Sequence, residues 1–236
     1  MKNNTISDIR RDLESSVDEK TKNSSQHFFK EAIKVYGVKT PVVKKIAKRY
    51  FDEIKEKNKK EIFSLCEKLL ESDYCEEAFI TFEWAYSLRK YYDETDFPMF
   101  EDWIEKYVNN WAKCDTLCNH SLGSFIEQFP QYIDSLKAWT RSENRWLRRA
   151  SAVTLILPAR NGKFLNDVFE ICDSLLKDED DLVQKGYGWL LKEASKPHRK
   201  QVFDYITKNK RDMSRTALRD AIEKLPKDLR DIAMKR

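Results

Sequence analysis

Glycine and proline are scarce in this chain, five and six in 236 residues. A sheet-rich fold needs more turn punctuation than that, so the shortage points away from one. No Walker loop, dinucleotide glycine fingerprint or nucleophile elbow occurs, which argues against nucleotide-driven and hydride chemistry. Histidine is scarcer still: His27, His120 and His198 form no acid–base arrangement, and surface or capping roles are expected. No apolar run approaches the roughly 20 residues that cross a bilayer. Met1 to Lys20 is polar and mixed in charge, unlike a signal peptide, so no membrane partner is expected. The cysteines (Cys66, Cys75, Cys114, Cys118, Cys172) are odd in number and lack a framework spacing. Reduced thiols in a cytoplasmic protein follow. Cys114, Cys118 and His120 fit no standard zinc spacing, and neither a metal nor a cofactor is expected.

Charge and apolar residues are abundant: 36% charged and 41% hydrophobic. That balance predicts a helical protein with solvated charged faces. The net charge of +4 is too small to argue for a nucleic-acid partner, so any such argument rests on local clusters. Acidic residues crowd 93–105 and 178–181, and basic residues crowd 39–49, 145–149 and 196–200.

Apolar periodicity predicts helix after helix: 6–18, 24–36, 40–56, 59–71, 74–91, 96–108, 112–129, 131–141, 144–158, 164–177, 181–195, 198–209 and 214–225. Thr40-Pro41 reads as a helix entry, with Thr as cap. The small residues Ala78, Cys114, Ala150 and Gly186 recur every 36 residues, each early in a predicted second helix of a pair. This period and the absent tetratricopeptide pattern predict an all-α, HEAT-like helical-repeat solenoid with a concave basic face. One domain, 1–236, is expected, with an N-terminal helix over 1–20 and a C-terminal tail over 227–236. The segments 73–91, 109–129, 144–158 and 180–195 become equivalent inner helices. Trp111, Asp115, Arg145, Arg149, Lys185 and Trp189 then converge on one concavity.

Trp84, Trp103, Trp139 and Trp146 lie among apolar neighbours at helical spacing and read as core. Trp111 and Trp189 have polar or small neighbours instead. Trp111 and Asp115, four apart, share a helical face, which sets an indole beside a carboxylate. Arg145, Arg148 and Arg149 open a helix together, and their forks suit phosphate oxygens. The competing reading pairs them with Asp or Glu of the adjacent repeat.

The segments Gly37-Val-Lys-Thr-Pro41, Trp111-x-x-x-Asp115, Asn144-x-Trp-Leu-x-Arg149-Ala and Gly188-Trp189-x-Leu-x-Glu193 together resemble the AlkD-like DNA alkylation-repair glycosylases. The resemblance spans roughly residues 20–225. It implies a HEAT-like fold and excision of cationic N3- and N7-alkylated purines from double-stranded DNA, without burying the base in a pocket. It further implies that Trp111, Asp115 and Trp189 line the catalytic cleft and that Arg149 holds DNA backbone; Arg145, Arg148 and Lys185 are expected to assist on the phosphates. Phe28, Ala112 and Lys113 depart from the family's usual residues. The expected protein is a monofunctional, monomeric enzyme of base-excision repair. Two alternatives stay open: a non-catalytic repeat protein binding damaged or branched DNA, and a protein-interaction scaffold.

Overall fold

The computed structural model describes residues 5–235, without the side chain of Gln26. Every regular element among them is helical, as expected from the spacing of apolar residues. None of these helices is long and apolar enough to cross a membrane. Residues 1–4 and 236, the extremes of the expected terminal helix and tail, lie outside the described residues.

The chain gathers into two compact units. The first comprises residues up to Asp96 plus Tyr107–Thr116; the second comprises Phe97–Lys106 and everything from Leu117. The first unit holds α1 (Thr5–Ser15), α2 (Glu19–Phe28), α3 (Thr40–Ile54), α4 (Lys59–Leu70) and α5 (Cys75–Ser87). Most of α6 (Asp96–Tyr107) belongs to the second unit, and α7 (Trp111–Thr116) returns to the first. Ile9, Leu13, Ile62, Leu69, Ile80 and Phe82 are almost fully buried there, each worth about 1.5–3 kcal/mol relative to exposure. Trp84 joins this core and donates its indole N–H to the Ala47 carbonyl at 2.8 Å. Asn58 and Glu61 close a reciprocal capping box at the start of α4, satisfying two donors that helix starts leave open.

The helix expected over 24–36 is instead α2, over Glu19–Phe28. Asp18 caps it by accepting from the Thr21 backbone N–H. The chain from Phe29 to Lys39 has no regular helix, because its backbone donors go elsewhere. The buried Glu76 carboxylate accepts from the backbone N–H of Tyr36 (3.1 Å), Gly37 (2.8 Å) and Val38 (3.1 Å). Gly37 at φ +93° permits that turn, a conformation costly for a residue with Cβ. At the entry of α3, Lys39 rather than Thr40 occupies the cap position, with Pro41 just inside the helix.

The second unit contains a π-helical turn (Leu117–Leu122), α8 (Gly123–Gln128), α9 (Ile133–Trp139), α10 (Arg145–Val153), α11 (Ile156–Arg160) and α12 (Leu165–Leu175). It continues through α13 (Asp181–Ala194), α14 (Arg199–Asn209), α15 (Arg215–Ile222) and α16 (Lys227–Met234). Thus a helix occupies most of the stretch expected as a tail. Helix α13 packs on α10, α11, α12 and α15. Its contact with α15 is close: a Cβ on Gly188 would lie 2.8 Å from the Ala217 carbonyl oxygen. Trp103, Trp139 and Trp146 are buried in this unit, as their apolar spacing suggested.

The four residues of the 36-residue recurrence are all buried: Ala78 and Cys114 in α5 and α7, Ala150 and Gly186 in α10 and α13. A Cβ on Gly186 would meet Arg149 and Val153 at ordinary contact distance.

Candidate functional site

Helix α7 shows two faces. Lys113 and Cys114 are buried, whereas Trp111 and Asp115 are half-buried on the other side. Asp115 is therefore accessible rather than sealed in the interior. Trp111 is buttressed by two rings from the end of α2 and the residue after it. Phe29 stacks on it at 5.3 Å with planes 22° apart, and Phe28 meets it edge-on at 5.6 Å. Phe28 remains 68% exposed, so the cluster presents a large apolar ring to solvent. Phe29 was missed as part of this group because the doublet fell inside the helix expected over 24–36.

The local anchoring of α7 is strong. Lys113, 1% exposed, donates its ammonium to Asp73 Oδ1 (2.6 Å), the Asp73 carbonyl (3.1 Å) and the Tyr107 carbonyl (3.3 Å). Asp73 also accepts from Asn109 Nδ2 at 2.8 Å. It sits at φ +64°, a left-handed conformation that Asp tolerates better than most residues. Asn110 Oδ1 accepts from the Lys113 backbone N–H, and Asn110 Nδ2 contacts Cys75 Sγ. The three acceptors gathered on Lys113 engage its ammonium in structure, which disfavours a Schiff-base role. The π-helical turn begins two residues after Asp115; such turns recur at functional sites.

In the second unit, Trp189 is half-buried on α13. The basic cluster is matched by protein acceptors. Arg145 donates Nη2 to Asp180 Oδ1 (3.0 Å), with its Nε 2.8 Å from the other oxygen of the same carboxylate, and Asp180 also caps α13 at Leu182 and Val183. Arg148 Nε reaches Asp178 Oδ2 at 2.7 Å. Arg149 is 5% exposed and donates Nη1 to the Leu182 carbonyl. Lys185 makes a solvated pair with Asp181 at 3.4 Å. The partners of Arg145 and Arg148 lie 35 and 30 positions on, in the acidic run 178–181.

Two carboxylates here are perturbed. Burial raises Asp220, on α15 against Gly188, above its ordinary value, against the pull of Lys192. Burial pushes Glu193 up, but Lys196 and Arg160 outweigh it and hold the group below its ordinary value. Periodicity gave no sign of Asp220, whose environment depends on the close α13–α15 packing. The five cysteines are all buried and none is in a disulfide; burial raises the Cys75 thiol to about 11, so it is a poor nucleophile.

Comparison with known proteins now places the chain. The family model for "DNA alkylation repair enzyme" matches residues 9–225. A solved structure described as a predicted DNA alkylation repair enzyme from Enterococcus faecalis superposes with a TM-score of 0.80. It is 16% identical, with 90% of this chain and 98% of that chain covered. A search of curated proteins finds no match. The fold is that of a helical-repeat protein, and the chain belongs to the DNA alkylation repair enzyme family.

Proposed function

We propose that this protein is a monofunctional DNA glycosylase that excises cationic N3- and N7-alkylated purines from double-stranded DNA. Alkylation at either nitrogen gives the purine a positive charge, so the base departs neutral and no general acid is needed. What then requires help is the developing oxocarbenium on the deoxyribose. Asp115 supplies the negative charge and positions the attacking water. A carboxylate about 4 Å from a unit cation contributes roughly 4 kcal/mol at an effective dielectric near 20. That corresponds to on the order of a thousandfold in rate, sufficient for an activated leaving group and too little for unmodified purines.

The observation that carries this reading is the accessible pairing of Trp111 and Asp115 on one face of a firmly anchored helix. Indole faces attract cations by about 0.5–2 kcal/mol, and Trp111 and Trp189 orient the cationic nucleotide. Arg149, with Arg145, Arg148 and Lys185, is assigned to backbone phosphates. To serve there, the arginines exchange the carboxylates and the carbonyl that they now hold.

The test is release of 7-methylguanine or 3-methyladenine from methylated DNA. Wild type is expected to release free base and Asp115→Asn to lose that activity while still binding DNA. Wild-type protein that binds DNA but releases nothing from several cationic lesions would favour the non-catalytic reading.

A further inference from the structure

The C-terminal helices carry a charge imbalance that the arginines of 145–149 do not explain. From Lys196 to Arg236 there are thirteen Lys and Arg against six Asp and Glu. This stretch alone is more basic than the whole chain at +4. Part of it lies where the end of α14, the start of α15 and the end of α16 surround a recess of about 390 Å³. Four of its eight lining residues are Lys or Arg, none is acidic, and Met213, Leu218 and Met234 supply an apolar floor.

The four cations divide by what they already hold. Lys210 donates to the Ile232 and Lys235 carbonyls, tying α14 to the end of α16. Arg211 and Arg215 are exposed, and among the described residues neither has an ion-pair partner. Nearby carboxylates are engaged elsewhere: Asp212 with Lys177 and Asp231 with Lys227. The contrast with Arg145, Arg148 and Arg160, each on a carboxylate, is physical. Like charges gathered without counter-ions repel, and an external anion relieves that repulsion.

We propose that this recess is a phosphate-binding site for the DNA backbone, with Arg211 and Arg215 as the contacts and Lys235 as a supporting charge. The proposal rests on DNA being the substrate, as argued above. The guanidinium forks meet non-bridging oxygens, and the apolar floor receives the deoxyribose edge. No base is read, so the site binds undamaged and damaged duplex alike. It holds the enzyme on DNA without protein carboxylates having to be displaced first.

The experiment is duplex binding by fluorescence anisotropy across a salt series, using undamaged DNA and full-length protein. Arg211→Gln/Arg215→Gln should weaken binding several-fold at low salt and lower the slope of log affinity against log salt by about 2. Its thermal midpoint should stay at the wild-type value, since neither side chain has an ion-pair partner to lose among the described residues. Lys44→Gln/Lys200→Gln removes the same charge from exposed pairs of α3 and α14 and should leave the slope unchanged. Equal slopes for wild type and the arginine variant, or equal losses in both variants, would overturn the site. If excision persists beside such a result, only this inference falls. Wild-type protein with no duplex affinity at low salt would remove both this site and the glycosylase reading.

Discussion

The anchoring of α7 by Lys113 predicts a strongly asymmetric double-mutant cycle with Asp73. The ammonium is 1% exposed, whereas the Asp73 side chain is about half exposed. Removing a partner from a buried pair costs about 3–5 kcal/mol when a charge is stranded. Water reaches the Asp73 side of this pair, so a discounted cost of about 2–3 kcal/mol is appropriate. Asp73→Asn strands the buried ammonium while keeping a residue that accepts the left-handed backbone, and it should lose that amount in urea unfolding at neutral pH. Lys113→Met keeps the apolar stem and leaves a carboxylate that water resolvates. Its cost is two carbonyls short of a donor, about 2 kcal/mol in all. With Met at 113, the further change Asp73→Asn should cost under about 0.5 kcal/mol, because no ammonium remains to strand. Additive single-mutant effects would refute the claim that a buried charge at Lys113 fixes the helix carrying Trp111 and Asp115.

Other consequences follow from packing and titration. Gly188→Ala gains about 1 kcal/mol of helix propensity, but its methyl would lie 2.8 Å from a backbone oxygen of α15. Overpacking costs about 1–3 kcal/mol, so the urea midpoint should fall, and an unchanged or raised midpoint would contradict that close approach. Glu193 titrates below its unfolded value because Lys196 and Arg160 outweigh burial. Its contribution is therefore present above the unfolded carboxyl pKa and lost as pH falls through the folded one. Thermal midpoints from pH 6 to pH 3 should decline less steeply in Glu193→Gln than in wild type, and parallel declines would be the contrary result.

What the sequence made legible was local. Period and capping marked most helices, and the small residues every 36 positions marked where helices pack. Apolar neighbours separated the buried Trp103, Trp139 and Trp146 from the half-buried Trp111 and Trp189. What it hid was long-range. Residues 29–36 read as helix because apolar spacing continues through Ile33 and Tyr36. The carboxylate that claims the backbone donors of Tyr36, Gly37 and Val38 belongs to Glu76, about 40 positions away. The partners of Arg145 and Arg148 were visible as an acidic run, yet spacing could not say whether phosphate or carboxylate claims those forks. The Phe28–Phe29–Trp111 cluster joins α7 to residues about 80 positions earlier, a contact no local pattern encodes.

The central claim is that the Asp115 carboxylate stabilises sugar cation character as a charged purine leaves. Single-turnover excision of 7-methylguanine at saturating enzyme tests it most directly, comparing wild type with Asp115→Asn. The account predicts a rate lower by on the order of a thousandfold, with duplex affinity retained. An Asn variant that excises at the wild-type rate would contradict it.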